Sequence, residues 1–243
     1  MASNINIQSI PTLNNIDSAN FLNNYVDCNL PLILNEYAGN WPALKKWSRE
    51  YLKKVAQDTI VEVNMCDFEN IRRKTKMTFG KYIDLISNAN SHNPNKAYLR
   101  NFSIEEFPTL KNDVSNEVLF GKRFNTIIYG VFIATSSTDT KLHKDTGDNI
   151  LVVIEGSKLI ALVSPDQEKQ VDSNHRSDNI GEFATVEKLP KHPMFGSAKA
   201  FAFELKKGQA LFLPHDWLHY VYNPNDSIAV SCWGKSLPDF EKN

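Results

Sequence analysis

The chain has 243 residues, 42% of them hydrophobic, and its 27 Lys and Arg nearly cancel its 28 Asp and Glu to leave a net charge of −1. That length suffices to bury one sizeable core, and the balanced charge excludes a strong overall field steering the protein to nucleic acid or an anionic membrane. Three scattered cysteines (Cys28, Cys66 and Cys232), none in a CxxC pair, exclude a disulfide framework and a Cys-rich zinc site.

The first residues, MASNINIQSIPTLNN, lack the apolar run of a secretory leader, and no window approaches the roughly 18 apolar residues of a membrane span. A cytoplasmic location with no membrane partner is therefore expected. From Ser18 to about Ser91 the pattern predicts mainly helix. The stretch Asp17–Ala19 is placed to cap a helix through Phe21, Leu22 and Tyr25, and PLILNEY reads as a short buried strand. Ser48 is an N-cap for EYLKKVAQ with Glu50 in its first turn. Thr78 does the same for FGKYIDLIS, whose Phe79, Tyr82, Ile83 and Ile86 recur at helical spacing. The basic runs Lys45 and Lys46, Lys53 and Lys54, and 72–76 are expected on solvated helix faces or in loops.

From Lys96 onward strands dominate: AYLRNF, FNTIIYGVFIA, NILVVIE, KLIALVS, KAFAFEL, QALFLP and SIAVSCW are short, β-branched or aromatic. EGSK and KKGQ look like tight turns between them. The expectation is a single domain, mainly β: a double-stranded β-helix, or jelly roll, over about 96–236, braced by a helical N-terminal part over about 1–95.

His143-Lys144-Asp145 is the most informative tripeptide, because in a strand residues two apart point to one face and can converge on one ion. A third ligand must come from elsewhere. His219 and His215 compete for that role, and His219 is preferred because Trp217, Tyr220 and Tyr222 read as the start of a buried strand. Two imidazoles and a carboxylate form the facial triad of non-haem iron(II) oxygenases. His92, His175 and His192 fall in polar or proline-containing loops and are expected to be exposed.

The surroundings of this pair, TSSTDTKLHKDTGDNILVVIEGSKLIALVSPDQ, resemble the core motif of JmjC-type cupin oxygenases: a Thr or Ser before L-H-x-D, a following Asn, and a G-x-K turn into a strand ending at Pro. FELKKGQALFLPHDWLHYV is similar to that family's second motif, and PLILNEYAGNWPALKKWSREYL to its amino-terminal one. The resemblance spans about Leu30 to Trp233 in the expected order. It implies iron(II) on His143, Asp145 and His219. It further implies that Lys158 pairs with the far carboxylate of the co-substrate 2-oxoglutarate, that Thr140 and Tyr98 share that carboxylate, and that Asn149 and Ser231 line the same side. A lysine there is sensible as a charge-assisted donor.

This sequence departs from the pattern at Lys144, where many relatives carry an aromatic residue, at Gln209, which replaces a turn Asp, and at Ser231, where some members carry Asn. No departure removes an iron ligand. The implied function is an iron(II)- and 2-oxoglutarate-dependent dioxygenase that hydroxylates a protein side chain, a modified nucleoside or a small molecule. The rival readings are a cupin that binds metal or a small ligand without oxidation, and a lysine demethylase. Hydroxylation is expected, since no methylammonium cage can be assembled: Tyr98, Trp217 and Trp233 are better explained by co-substrate binding or packing. Candidate partners are a peptide or protein, a small molecule or modified tRNA, without a strong nucleic-acid signature, and a second copy of the chain in a homodimer. The polar stretch 166–195 is expected to shape the substrate mouth.

Overall fold

The computed structural model describes residues 9–66, 72–87, 96–114, 119, 124–176 and 178–236. His92 lies outside the described residues, as do the side chains of Cys66 and Arg72. Strands β1 (Thr12–Leu13), β2 (Leu32–Leu34), β3 (Ile60–Cys66), β4 (Arg72–Thr78), β5 (Lys96–Ser103), β6 (Phe124–Ala134) and β7 (Thr138–His143) lead into β8 (Asp148–Glu155) and β9 (Ser157–Val163). After a run of short 3-10 turns come β10 (Phe201–Lys206), β11 (Ala210–Leu213), β12 (Leu218–Asn223) and β13 (Ser227–Ser236). The helices are short: α1 (Ser18–Phe21), α2 (Ala43–Lys46), α3 (Arg49–Ala56), α4 (Phe79–Ser87) and α5 (Pro108–Lys111).

The expected caps form. Asp17 Oδ1 accepts the Asn20 N–H at 3.0 Å, Ser48 Oγ that of Tyr51 at 3.1 Å, and Thr78 Oγ1 that of Lys81 at 3.3 Å. Each satisfies a helix-start donor that would otherwise lack a partner.

The strands build a nine-stranded sheet in the order β1-β2-β11-β8-β13-β6-β5-β3-β4 and a four-stranded sheet in the order β10-β9-β12-β7. Pairing is antiparallel apart from β1 with β2. This is the jelly roll that the sequence predicts, with one correction. The first 95 residues are not simply a helical brace, because β3 and β4 extend the large sheet beyond β5. In β3 the buried Val61, Val63 and Met65 alternate with the more exposed Glu62 and Asn64, a period of two rather than 3.6. The basic run 72–76 consequently lies on strand β4, not on a helix or loop.

Three apolar layers hold the sheets. On the helix side, Ile150, Val152 and Ile154 of β8 and Val230 and Cys232 of β13 pack with Phe21, Trp47, Leu52 and Tyr82. Between the sheets lie Leu151, Val153, Ile160, Leu162, Leu211 and Ala229. Outside the small sheet, Leu159, Ala161, Leu218 and Tyr220 are covered by Ile180, Leu189, Met194 and Phe195. The segment 166–195 therefore roofs the outer face of the small sheet, and none of its described residues lines the cavity between the sheets. Its scattered apolar residues, not its polar majority, determine where it packs. His192 is likewise buried (5% exposed), not in solvent: its Nδ1 accepts the Met194 N–H at 3.1 Å, and its ring meets Phe183 edge-on. Burial pushes its pKa down. His175 is half-exposed, its Nδ1 2.7 Å from Asp178 Oδ2.

Asp113 ties the helical layer together. Its buried carboxylate accepts Lys46 Nζ at 2.7 Å, the Trp47 indole N–H at 3.1 Å and the Tyr51 hydroxyl at 2.7 Å. Burial alone would raise its pKa, but the three donors outweigh burial and hold it below the usual carboxylate value of 3.8. A folded pKa below the unfolded one contributes stability that is present above about pH 4 and is lost as pH falls through the folded value. Asp113→Asn should therefore lower unfolding free energy at pH 7 by roughly 1.5–3 kcal/mol, the scale of hydrogen bonds to a charged group. In denaturant titrations the gap from the unsubstituted protein should close towards pH 3.

Candidate metal centre

The small sheet sets the site. On β12, His219 pairs with His143 at the end of β7, but two residues further on Val221 pairs with Thr140. Three residues of β7 thus oppose two of β12, a bulge. It turns Leu142 outward into the roofed layer while His143 faces His219, with ring centroids 4.0 Å apart. The strand stops at His143, and Asp145 sits just beyond it in the following loop. The two residues thus converge by a bulge and a loop rather than by strand alternation, which corrects the geometry that the sequence suggested.

His143 Nε2 lies 3.8 Å from Asp145 Oδ1, and His219 Nε2 lies 3.8 Å from Asp145 Oδ2. One ligand atom from each residue falls within 4.8 Å of the others. Two ligands each about 2.1 Å from one ion can be up to about 4.2 Å apart, so one cation can engage all three with little movement. His143 Nδ1 is 2.7 Å from the Lys141 carbonyl and His219 Nδ1 is 3.0 Å from that of Trp217. A carbonyl only accepts, so each Nδ1 carries the proton and each Nε2 keeps its lone pair for a metal. Burial, then the neighbouring His143, depress the His219 pKa against the opposing pull of Asp145, which keeps this imidazole neutral at neutral pH.

His215 does not join them. Its ring is 47% exposed, and its Nδ1 lies 3.0 Å from Asp148 Oδ1, which also accepts its backbone N–H. Lys144 points away to Glu168, with Nζ and Oε2 2.7 Å apart.

The cluster opens into a cavity of about 740 Å³ that is also lined by Tyr98, Thr140, Asn149, Lys158 and Ser231. The structure thus brings every site residue expected from the sequence to one space. Lys158 is on β9 with the inward-facing Ile160 and Leu162, and only 1% exposed. Its Nζ donates to Asn223 Oδ1 at 2.7 Å and Ser227 Oγ at 3.3 Å, and lies 5.5 Å from the Tyr98 ring centre. Among the described residues no carboxylate reaches it. Burial pushes its pKa down, with Tyr98 opposing. Asn149 donates Nδ2–H to Ser231 Oγ at 3.2 Å, while its buried Oδ1 has no partner. A buried ammonium held by neutral groups and an orphaned amide oxygen are both costly unless a ligand completes them.

The sequence missed the residues behind this set. Asn223 holds Lys158 and is itself fixed by Thr138, to whose carbonyl and hydroxyl its Nδ2 donates at 3.2 and 3.0 Å. Trp233 Nε1 lies 3.4 Å from Asp145 Oδ2. Gly130, paired with Ser231, leaves room for Trp233: a Cβ there would lie 2.7 Å from the indole and overlap the Asn101 side chain. Asn101 itself adopts φ +58° at the irregular step in the β5–β6 pairing. Nothing in the local sequence around these residues distinguishes them from packing.

Comparison with known proteins gives a family match, described as cupin-like domain, over residues 18–240. JmjC domain-containing protein A of Dictyostelium discoideum is 36% identical over 230 residues, covering 88% of this chain and 90% of that protein. Lysine-specific demethylase 8 of Xenopus tropicalis is 28% identical over 93% of this chain, which spans only 52% of that protein. The human bifunctional peptidase and (3S)-lysyl hydroxylase JMJD7 is 23% identical, covering 88% of this chain and 79% of that protein. No helix among the described residues is long and apolar enough to cross a membrane.

The cluster makes a direct prediction. Titrated with cobalt(II) under anaerobic conditions, the protein should show one equivalent of visible ligand-field absorption. His143→Ala, Asp145→Ala and His219→Ala should each weaken that binding at least tenfold, since each removes one of three ligands. His215→Ala should bind as the unsubstituted protein does.

Proposed function

The chain belongs to the cupin-like (JmjC) domain family, and from that premise we propose that it is an iron(II)- and 2-oxoglutarate-dependent dioxygenase that hydroxylates a C–H bond. The observation that carries the reading is one cavity holding both a His-Asp-His cluster and a buried ammonium without a carboxylate partner among the described residues. His143, Asp145 and His219 would hold iron, and their donor set is that of non-haem iron(II) sites with open positions. Lys158 would hold the far carboxylate of 2-oxoglutarate, assisted by Thr140 and Tyr98, with Asn149 and Ser231 along the side. When bound, the pair supplies oxidation by dioxygen, converting R–H, O2 and 2-oxoglutarate to R–OH, succinate and CO2.

The chain's own residues account for orientation and for exclusion of water. Asn223 and Ser227 aim the lysine head inward, and in so dry a setting its charge-assisted bond to a carboxylate is stronger than in solvent. Lys158 neighbours Leu159, which pairs with Tyr222, whereas His219 pairs with Leu162 further along the same two strands. The backbones at the two ends are thus four residues, or on the order of 13 Å, apart. A lysine arm and a short diacid reaching from it towards the cluster fit that span; a monoacid would leave one end unheld.

Hydroxylation is favoured over demethylation by the aromatic groups at hand. Trp217 is in the core and donates its indole N–H to the Asn29 carbonyl at 2.9 Å, Tyr98 lies over Lys158, and Trp233 faces Asp145. None of these three is left to cage a methylammonium group. The candidate substrates are a protein side chain, a modified nucleoside or a small molecule.

Lys158→Ala should weaken 2-oxoglutarate binding tenfold or more, or about 1.5–3 kcal/mol, measured by calorimetry with manganese(II) in place of iron. Unchanged affinity would remove Lys158 from the co-substrate site. Substrate-free turnover of 2-oxoglutarate to succinate, dependent on iron and ascorbate, tests the activity itself. A retained oxygen atom on the product separates hydroxylation from a demethylation that releases formaldehyde.

A further inference from the structure

The helix-side face of β5, β3 and β4 is covered, whereas the opposite face continues outward from the cavity as an open platform. Directly paired residues share a face, and the register Tyr98–Asn64–Lys74 aligns one row across the three strands. The next row carries Glu62 and Lys76. Arg100 joins them from the interior strand β5, its guanidinium 3.4 Å from Asn64 Oδ1. Glu62 is already engaged by Lys74 at 2.7 Å and also feels Lys76, and at the far rim Glu105 is engaged by Lys111 at 2.6 Å. The exposed Glu106 at the same mouth offsets one more, so Lys74, Lys76 and Arg100 leave the platform a surplus of one cation.

The same face bears two of the three exposed large hydrophobic side chains among the described residues, Ile60 at 64% and Ile128 at 49%. Ile128 pairs with the cavity-lining Trp233 and Ile60 lines the cavity mouth, so both flank the row on the same face of the sheet. Lysines on an edge strand such as β4 also guard against edge-to-edge aggregation. That duty does not extend to Arg100, which is inside the sheet, or to the isoleucines, which work against it.

Resting on the oxygenase reading for what happens to the bound residue, we propose that this platform is the docking surface for a polypeptide substrate: an extended, acidic segment with an aliphatic side chain. Its carboxylates would meet Lys74, Lys76 and Arg100, its aliphatic group Ile60, and its target residue would enter the cavity beside Trp233. A nucleic-acid strand fits less well. Such strands are held by bases stacked on exposed aromatic rings, and the apolar groups exposed here are aliphatic. From β13 to β4 the sheet steps across four strand spacings of about 4.8 Å, or roughly 19 Å, which an extended chain crosses in five or six residues. The acidic residues recognised would therefore lie about four to six positions from the residue oxidised.

The test uses the full chain without iron and two fluorescein-labelled 20-residue peptides of repeating Glu-Leu-Ser and Lys-Leu-Ser, with a 20-nucleotide oligothymidine as the third probe. Fluorescence anisotropy should show the Glu peptide binding at least tenfold tighter than the Lys peptide, and weakening as salt is raised. Lys74→Gln/Lys76→Gln/Arg100→Gln should weaken it tenfold or more, and Ile60→Ser at least threefold. Should the triple variant melt early, Arg100→Gln alone, an exposed single change, should still weaken binding at least threefold. Equal binding of the two peptides, or binding indifferent to these changes, would overturn the proposal. So would tighter binding of the oligothymidine that the same substitutions abolish, which would make the face a nucleic-acid surface. Parallel turnover assays with iron keep the two readings separate. Glu-peptide binding without 2-oxoglutarate turnover removes the oxygenase and leaves the docking surface, whereas turnover without binding does the reverse.

Discussion

The antiparallel pairing of β7 with β12, with its single extra residue, is the constraint on which the site depends. Without the bulge, His143 would take the place of Leu142 in the roofed apolar layer, and Leu142 would turn inward to face His219. With it, two imidazoles from different strands meet at one end of the small sheet, each oriented by a carbonyl one or two peptides away. Because both ring orientations are set by backbone, they persist as long as the sheet does. The carboxylate is on a looser mount: Asp145 is in a loop, but its carbonyl accepts the Asp216 N–H at 2.9 Å and its Oδ2 is near the Trp233 indole. That combination gives a stiff pair of nitrogen donors and one more adjustable oxygen donor.

Lys158 is the second fixed point, and it is expensive to keep. Removing an ammonium from water costs several kcal/mol even after the surroundings relax. The protein recovers part of this with Asn223, Ser227 and the face of Tyr98. These neutral partners hold the head without neutralising it, so its field remains available to an incoming anion. A carboxylate partner in the protein would have made the folded state more comfortable and the site less useful.

Much of this was legible in the sequence, for reasons that differ from element to element. Strands such as NILVVIE and KLIALVS announce themselves by unbroken apolar runs because both faces of β8 and β9 are covered. The caps at Asp17, Ser48 and Thr78 are local chemistry, and local chemistry is written in consecutive residues. The site residues were named through motif order, and the structure brings them to one cavity. What escaped was set by distant partners. The hairpin of β3 and β4 reads as polar and charged because one of its faces is open, so a period-two pattern was hidden among lysines. The bulge in β7 has no residue signature of its own. His192 looked like a loop histidine until Phe183 of the same roofing segment packed against it.

The layering also separates the molecule by how readily its parts come apart. Strand β8 is hydrogen-bonded on both edges and buried on both faces, so its amides can exchange with solvent only when much of the domain opens. The β3–β4 hairpin is the fringe of the same sheet, bonded on one edge only at β4 and wetted on one face. Opening that fringe breaks few buried contacts, whereas loosening the histidine pair requires the small sheet to part from its roof. The rim of the cavity can thus breathe on a faster clock than its floor, while the two imidazoles stay in register.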